Sequence, residues 1–176
     1  ARIDGYNALH DDEDASKRNE DYAALVDSYY DLATTFYEWG RGSCFHFAYR
    51  RGGESITASL ARHEYYLASR LAVSSGAKVL DCGCGIGGPA RNIARFTRAN
   101  VTGITLNQFQ VDRGNALCEK EGVDHLVKIV QGDFMALPFD SNSFAAVYAI
   151  DATCHAPDRA KCYAEIYRVL KPGATF

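Results

Sequence analysis

The 176-residue sequence has one methionine, one tryptophan and four prolines. No stretch of 18 uninterrupted apolar residues occurs, so nothing reads as a bilayer span. The first twenty residues are polar and show no secretory signal. Lysine and arginine number 19 against 22 acidic residues, a net charge of −3. That balance leaves no basic footprint for nucleic acid, and the acidic run Asp11 to Asp14 reads as solvated surface. C-x-x-C pairs are also missing: Cys44, Cys82, Cys84, Cys118, Cys154 and Cys162 stand apart. They read as reduced thiols of an intracellular protein. Zinc ligands could be assembled from Cys44, His46, Cys82, Cys84, Cys154 and His155, but the spacing fits no common pattern, and no metal is expected. Position 1 is Ala, so the natural N-terminus is expected upstream. What remains is 47% apolar, ordinary for a globular domain with a real core.

The chain is organised around residues 78 to 89, Lys-Val-Leu-Asp-Cys-Gly-Cys-Gly-Ile-Gly-Gly-Pro. Val79 and Leu80 end an apolar run that predicts a buried strand. Gly83, Gly85 and Gly87 follow at alternate positions, then Gly88. Pro89 suits the first turn of a helix, expected over Ala90 to Phe96. Strand, glycine loop and helix make a nucleotide-binding unit. Gly83, Gly85 and Gly88 also satisfy the dinucleotide fingerprint, which is weak alone. Asp81 favours a cationic ligand such as S-adenosylmethionine, with its sulfonium and ammonium. The second strand, Val101 to Thr105, leads to Leu106-Asn107-Gln108 and lacks the acid a dinucleotide site wants. A dinucleotide or a purely structural turn are the other readings.

Elsewhere the pattern alternates. A helix is expected from Asn19, as N-cap, to Gly40, and another over Glu54 to Ser75, stopped by Gly76. Residues 1 to 18 read as loosely attached. Between 29 and 49 lie eight of the 21 aromatic residues (11 Tyr, 9 Phe, 1 Trp). They read either as ordinary packing or as a pocket wall whose ring faces hold a cation. After the glycine loop come a helix over Asn107 to Lys120, a strand over Val127 to Gln131, a strand over Phe144 to Ile150, and a helix over Arg159 to Leu170. Lys171-Pro172-Gly173 should stop that helix, and Ala174 to Phe176 looks like the opening of a fifth strand. This βα alternation predicts a parallel sheet with right-handed crossovers. A fifth strand left as a stub would expose an edge, so the chain is expected to be part of a longer protein.

Asp81 to Pro89, Gly132-Asp133-Phe134 and Leu170-Lys171-Pro172-Gly173 together resemble a class I S-adenosylmethionine-dependent methyltransferase. Phe36 to Gly42, Ala61-Arg62-His63-Glu64 and Ile150 to Pro157 resemble sterol 24-C-methyltransferases, from about Tyr29 to Phe176. The resemblance implies a Rossmann-like α/β fold lacking its last strands. It implies an N-terminal helical and aromatic segment at 1–75 and a cofactor-binding core at 76–176. It also implies methyl transfer from S-adenosylmethionine to the carbon 24–25 alkene of a sterol, through positive charge at carbon 25. Gly83, Gly85 and Gly87 would contact the methionine part, with Asp81 close by. Asn107 and Gln108 would bind ribose hydroxyls, and Asp133 and Phe134 would flank adenine. Asp151, His46 and Glu64 are candidate bases or electrostatic stabilisers, though Asp151 could cap a turn, His46 could be a core histidine, and Glu64 could pair with Arg62 or a neighbour. Tyr37, Trp39, Phe45 and Phe47 would face the sterol. Arg41 stands where the family usually has Trp; a cation there would disfavour a carbocation, so it should point outward or mark a variant. Cys82 replaces Val, a near-isosteric change. Peripheral attachment to the endoplasmic reticulum or another sterol-bearing membrane is expected, no nucleic-acid partner is, and a homo-oligomer is compatible. Other readings are a methyltransferase acting on another lipid or small molecule, and a non-catalytic S-adenosylmethionine-binding module.

Overall fold

A computed structural model describes residues 22–176; the side chains of 22–28, 31, 32 and 41 lie outside it, as does the expected N-cap Asn19. Two helices come first, α1 (Tyr22–Arg41) and α2 (Ile56–Leu71). Then follow β1 (Lys78–Cys82), α3 (Gly88–Thr97), β2 (Asn100–Thr105), α4 (Gln108–Lys120), β3 (Val127–Gln131) and β4 (Phe144–Tyr148). A single 3-10 turn (Thr153–His155), α5 (Arg159–Val169) and β5 (Leu170–Thr175) complete the described chain.

The five strands form one parallel sheet in the order β3-β2-β1-β4-β5. Alternate strand residues feed two cores, as the period of two requires. Val79, Val101 and Ala146 pack with Ala68, Leu71, Ile93 and Val111 of α2, α3 and α4. Leu80, Cys82 and Val147 pack with Cys162, Ile166 and Val169 of α5. Chain order reverses between β1 and β4. Ligands bind at the carboxyl ends of strands at such a switch point.

Two boundaries depart furthest from the sequence reading, and β4 also ends at Tyr148 rather than Ile150. The second helix is shorter than 54–75. Ser55 caps its start by accepting the Ala58 N–H, and Ala72 ends it in the left-handed region at φ +49°. At the other end, Lys171-Pro172-Gly173 lies inside β5 rather than in a loop before it. Its pairing with β4 is irregular, shifting register between Phe144 and Ala146. An edge strand tolerates a proline because one row of its amides makes no ladder bonds.

Candidate functional site

An open cleft enclosing about 840 Å³, solvent mouth included, lies over the carboxyl ends of β1, β2 and β4. The glycine loop forms one side. Gly83, Gly85 and Gly87 have φ of +79°, +54° and +72°, a region L-residues enter at a cost. Gly83 is also hemmed in: a Cβ there would lie 2.3 Å from Ala152 Cβ. Of the three, Gly83 and Gly85 line the cleft, and Gly87 caps α3 behind it.

Asp81 lies on the cleft floor, buried, and accepts from Tyr148 Oη at 3.0 Å. Burial pushes its carboxyl up to about 7; the Tyr148 bond and His46 oppose the rise, and Glu64 adds to it. A carboxylate so far from water is ready for a ligand cation, whose arrival would restore the charged form. The fit to an adenosyl amino acid rests on this: an ammonium for Asp81, backbone approach at the glycines, and an aromatic wall at Phe134 and Phe45.

The residues expected on the ribose side divide. Asn107 lines the cleft and caps α4, accepting the Gln110 N–H at 2.9 Å. Gln108 is exposed and donates to Asp112 Oδ1 at 2.7 Å, outside the cleft. Gln110 takes that place on the wall. It accepts from Thr105 Oγ1 at 2.6 Å and donates to Thr34 Oγ1 at 3.0 Å. Phe134 lines the cleft. Asp133 is not among its lining residues, and its Oδ1 accepts the Met135 N–H at 2.7 Å.

The three candidate bases converge. His46 and Asp151 line the cleft, and Glu64 stands behind His46. His46 Nε2 meets Glu64 Oε1 at 2.9 Å and Nδ1 meets the Phe47 carbonyl at 3.0 Å. Burial alone would pull the imidazole pKa down, but its bonds to Glu64 and Phe47 outweigh this and raise it. Burial likewise pushes Glu64 up, and the His46, Asn92 and Cys44 bonds bring it below its ordinary value. The two form a buried ion pair. Arg62 instead forks onto Glu54, with Nε and Nη2 both at 2.9 Å, so of the alternative partners for Glu64 it is His46 and not Arg62 that pairs with it. Ligand-capable atoms of Cys44, His46 and Glu64 lie within 4.8 Å of one another, a grouping the sequence spacing did not give. Burial pushes the Cys44, Cys82 and Cys84 thiols up, which leaves them unreactive.

The aromatic wall is smaller than the aromatic stretch. Phe45 lines the cleft, with Cδ2 3.3 Å from a Cβ placed on Gly85. Tyr37 stands outside the lining and supports Phe45, ring centroids 5.3 Å apart. Trp39 and Phe47 do not reach the cleft; they are 90% and 68% exposed. The Arg41 side chain lies outside the described residues. Two residues that the sequence reading did not place among the substrate or base candidates complete the wall. Tyr30 and His155 both line the cleft, Oη and Nε2 3.3 Å apart.

A parallel sheet with a glycine cradle and a buried acid at its switch point defines a Rossmann-like fold of the class I methyltransferase type. The family profile described as "Methyltransferase domain" matches residues 80–176, and the chain belongs to that family. It is 53% identical over 175 residues to the cycloartenol-C-24-methyltransferase of Arabidopsis thaliana, covering 99% of this chain and 52% of that protein. It is 52% identical over 163 residues to the sterol 24-C-methyltransferase erg-4 of Neurospora crassa, covering 93% and 43%. The chain thus spans about half the length of the curated relatives it matches. Among solved structures, the [4+2]-cyclase SpnF superposes with a TM-score of 0.81 at 33% identity, covering 86% of this chain and 57% of that one. A cyclase on the same scaffold shows that fold alone does not fix the reaction.

Proposed function

We propose that this chain carries the cofactor-binding half of a sterol 24-C-methyltransferase. The observation that carries the reading is the buried Asp81 beside the glycine cradle, in a chain about half identical to named sterol methyltransferases. In this reading Asp81 binds the ammonium of S-adenosylmethionine, the backbone at Gly83 and Gly85 its methionine part, Asn107 and Gln110 its ribose, and Phe134 its adenine. When bound, the cofactor would supply an electrophilic methyl to the sterol alkene, its sulfur keeping the S–C electrons as a neutral thioether, and the sterol would carry the positive charge. Phe45 and Tyr30 offer ring faces to that charge. His46, already cationic against Glu64, does not add a nucleophile. Tyr30 and His155 form a hydroxyl–imidazole pair able to take up the departing proton.

The test is product analysis with a protein of the relatives' full length carrying this sequence. Isotopically labelled S-adenosylmethionine and a panel of sterols should give one labelled methyl at carbon 24 of those with a 24–25 double bond. Sterols saturated there should give none. Label on amines or acyl chains, with none on sterols, would refute the substrate assignment.

Attachment to a sterol-bearing membrane such as the endoplasmic reticulum is part of the same proposal. Among the described residues no helix is long and apolar enough to cross a membrane. Phe36, Trp39 and Tyr49 are 77%, 90% and 83% exposed, and aromatic rings favour the headgroup boundary. Co-sedimentation with phospholipid vesicles should fall at least severalfold in Trp39→Ser. Equal sedimentation would remove Trp39 from the account.

A further inference from the structure

Phe47 is the meeting point of a hydrogen-bonded chain that crosses the cleft wall. Its N–H donates to Asp151 Oδ2 at 2.9 Å. Its carbonyl faces His46 Nδ1 at 3.0 Å, and His46 Nε2 faces Glu64 Oε1 at 2.9 Å. Glu64 Oε2 in turn accepts from Asn92 Nδ2 at 2.6 Å. The chain runs from the segment after β4, through the loop between α1 and α2, to α2 and α3. Along this chain the loop is tied to a buried carboxylate at Glu64 and to an exposed one at Asp151.

Asp151 is held in an unusual way. Its φ is +50°, a left-handed conformation in which aspartate and asparagine are among the few tolerated L-residues. The next residue, Ala152, packs on Gly83. Such backbone outliers persist when their surroundings fix them and cluster at ligand clamps. A carboxylate accepting a backbone N–H makes a charge-assisted bond.

We propose that Asp151 is a clasp: its carboxylate holds the loop bearing Phe45 and His46 across the cleft, as a positioning residue for ligand retention. Both Phe45 and His46 line the cleft and precede Phe47 directly, so freeing the Phe47 N–H loosens the wall they form. The assignment of the retained ligand as S-adenosylmethionine rests on the functional reading above; the clasp itself does not.

Two substitutions separate the carboxylate from the backbone strain. Asp151→Gly removes the acceptor and accepts the left-handed φ freely. Asp151→Asn keeps a side-chain carbonyl acceptor and also tolerates that φ. Amide hydrogen exchange on this chain without ligand should show the Phe47 amide at least about tenfold faster in Asp151→Gly and within about threefold of wild type in Asp151→Asn. The Val79 amide in β1 should be unchanged in both. S-adenosylhomocysteine should leave a protein of the relatives' full length about tenfold faster in Asp151→Gly, with Asp151→Asn restoring most of the difference. Unchanged Phe47 exchange in Asp151→Gly, failure of Asp151→Asn to restore it, wild-type release rates, or loss of Val79 protection would each overturn the clasp. Failure of the wild-type protein to bind S-adenosylhomocysteine would instead count against the functional reading, and exchange alone would decide the clasp.

Discussion

Asp81 is a residue whose placement opposes folding and serves binding. Its carboxyl is raised to about 7 chiefly by burial, against about 3.9 in an unfolded chain. The folded state then holds its proton more tightly than the unfolded state between those values. Ligand-free stability should therefore fall as pH rises from about 4 to about 7 and level off above. Binding of an ammonium has the opposite slope, because it needs the carboxylate. Calorimetry with S-adenosylhomocysteine on a full-length protein should give affinity about tenfold weaker at pH 6 than at pH 8. Asp81→Asn should bind more weakly, lose that slope, and be more stable to urea at pH 8 without ligand. A flat wild-type profile would place Asp81 outside the ammonium site. The place of Asp81 in the cleft was legible because its charge stands two residues before the first glycine. Gln110 was not legible: one amide on an amphipathic helix carries no signal until Thr34 and Thr105 are seen on either side of it.

Among the elements, α1 is fastened to the core by polar contacts. Thr34, fully buried, accepts from Gln110 Nε2, and Glu38 forms an ion pair with Arg113 of α4. Thr34→Val removes the acceptor and leaves a buried amide N–H unpaired, which costs about 1–3 kcal/mol. Glu38→Gln should cost less, about 0–1 kcal/mol, because both partners are partly solvated. Urea titrations in low and high salt check both: the Thr34→Val loss should persist in salt and the Glu38→Gln loss should shrink. Equal, salt-sensitive losses would mean that charge fastens the helix. The first four strands and the last three helices followed closely from periodicity and capping, β3 at its expected residues 127–131, whereas β5 begins at Leu170, four residues before its expected start. The aromatic stretch was less legible. A helix turns 100° per residue, so Trp39 and Tyr37 cannot share a face, and composition could not say which ring the cleft would receive.

For the whole molecule, the order β3-β2-β1-β4-β5 puts the switch point, the glycine loop and the buried acid at one end of the sheet. The βα alternation anticipated the parallel sheet. It could not anticipate that His46, Glu64 and Asp151, far apart in sequence, would join in one hydrogen-bonded wall, since long-range contacts leave no local pattern. The central claim is that this end of the sheet holds a cationic amino-acid nucleoside rather than a dinucleotide. The direct measurement is calorimetric titration of a protein of the relatives' full length with S-adenosylmethionine and with NAD at pH 8. The account predicts saturable one-to-one binding of S-adenosylmethionine, at least about a hundredfold weaker in Asp81→Ala, and no heat from NAD. Binding of NAD without S-adenosylmethionine, or S-adenosylmethionine binding indifferent to Asp81, would contradict it.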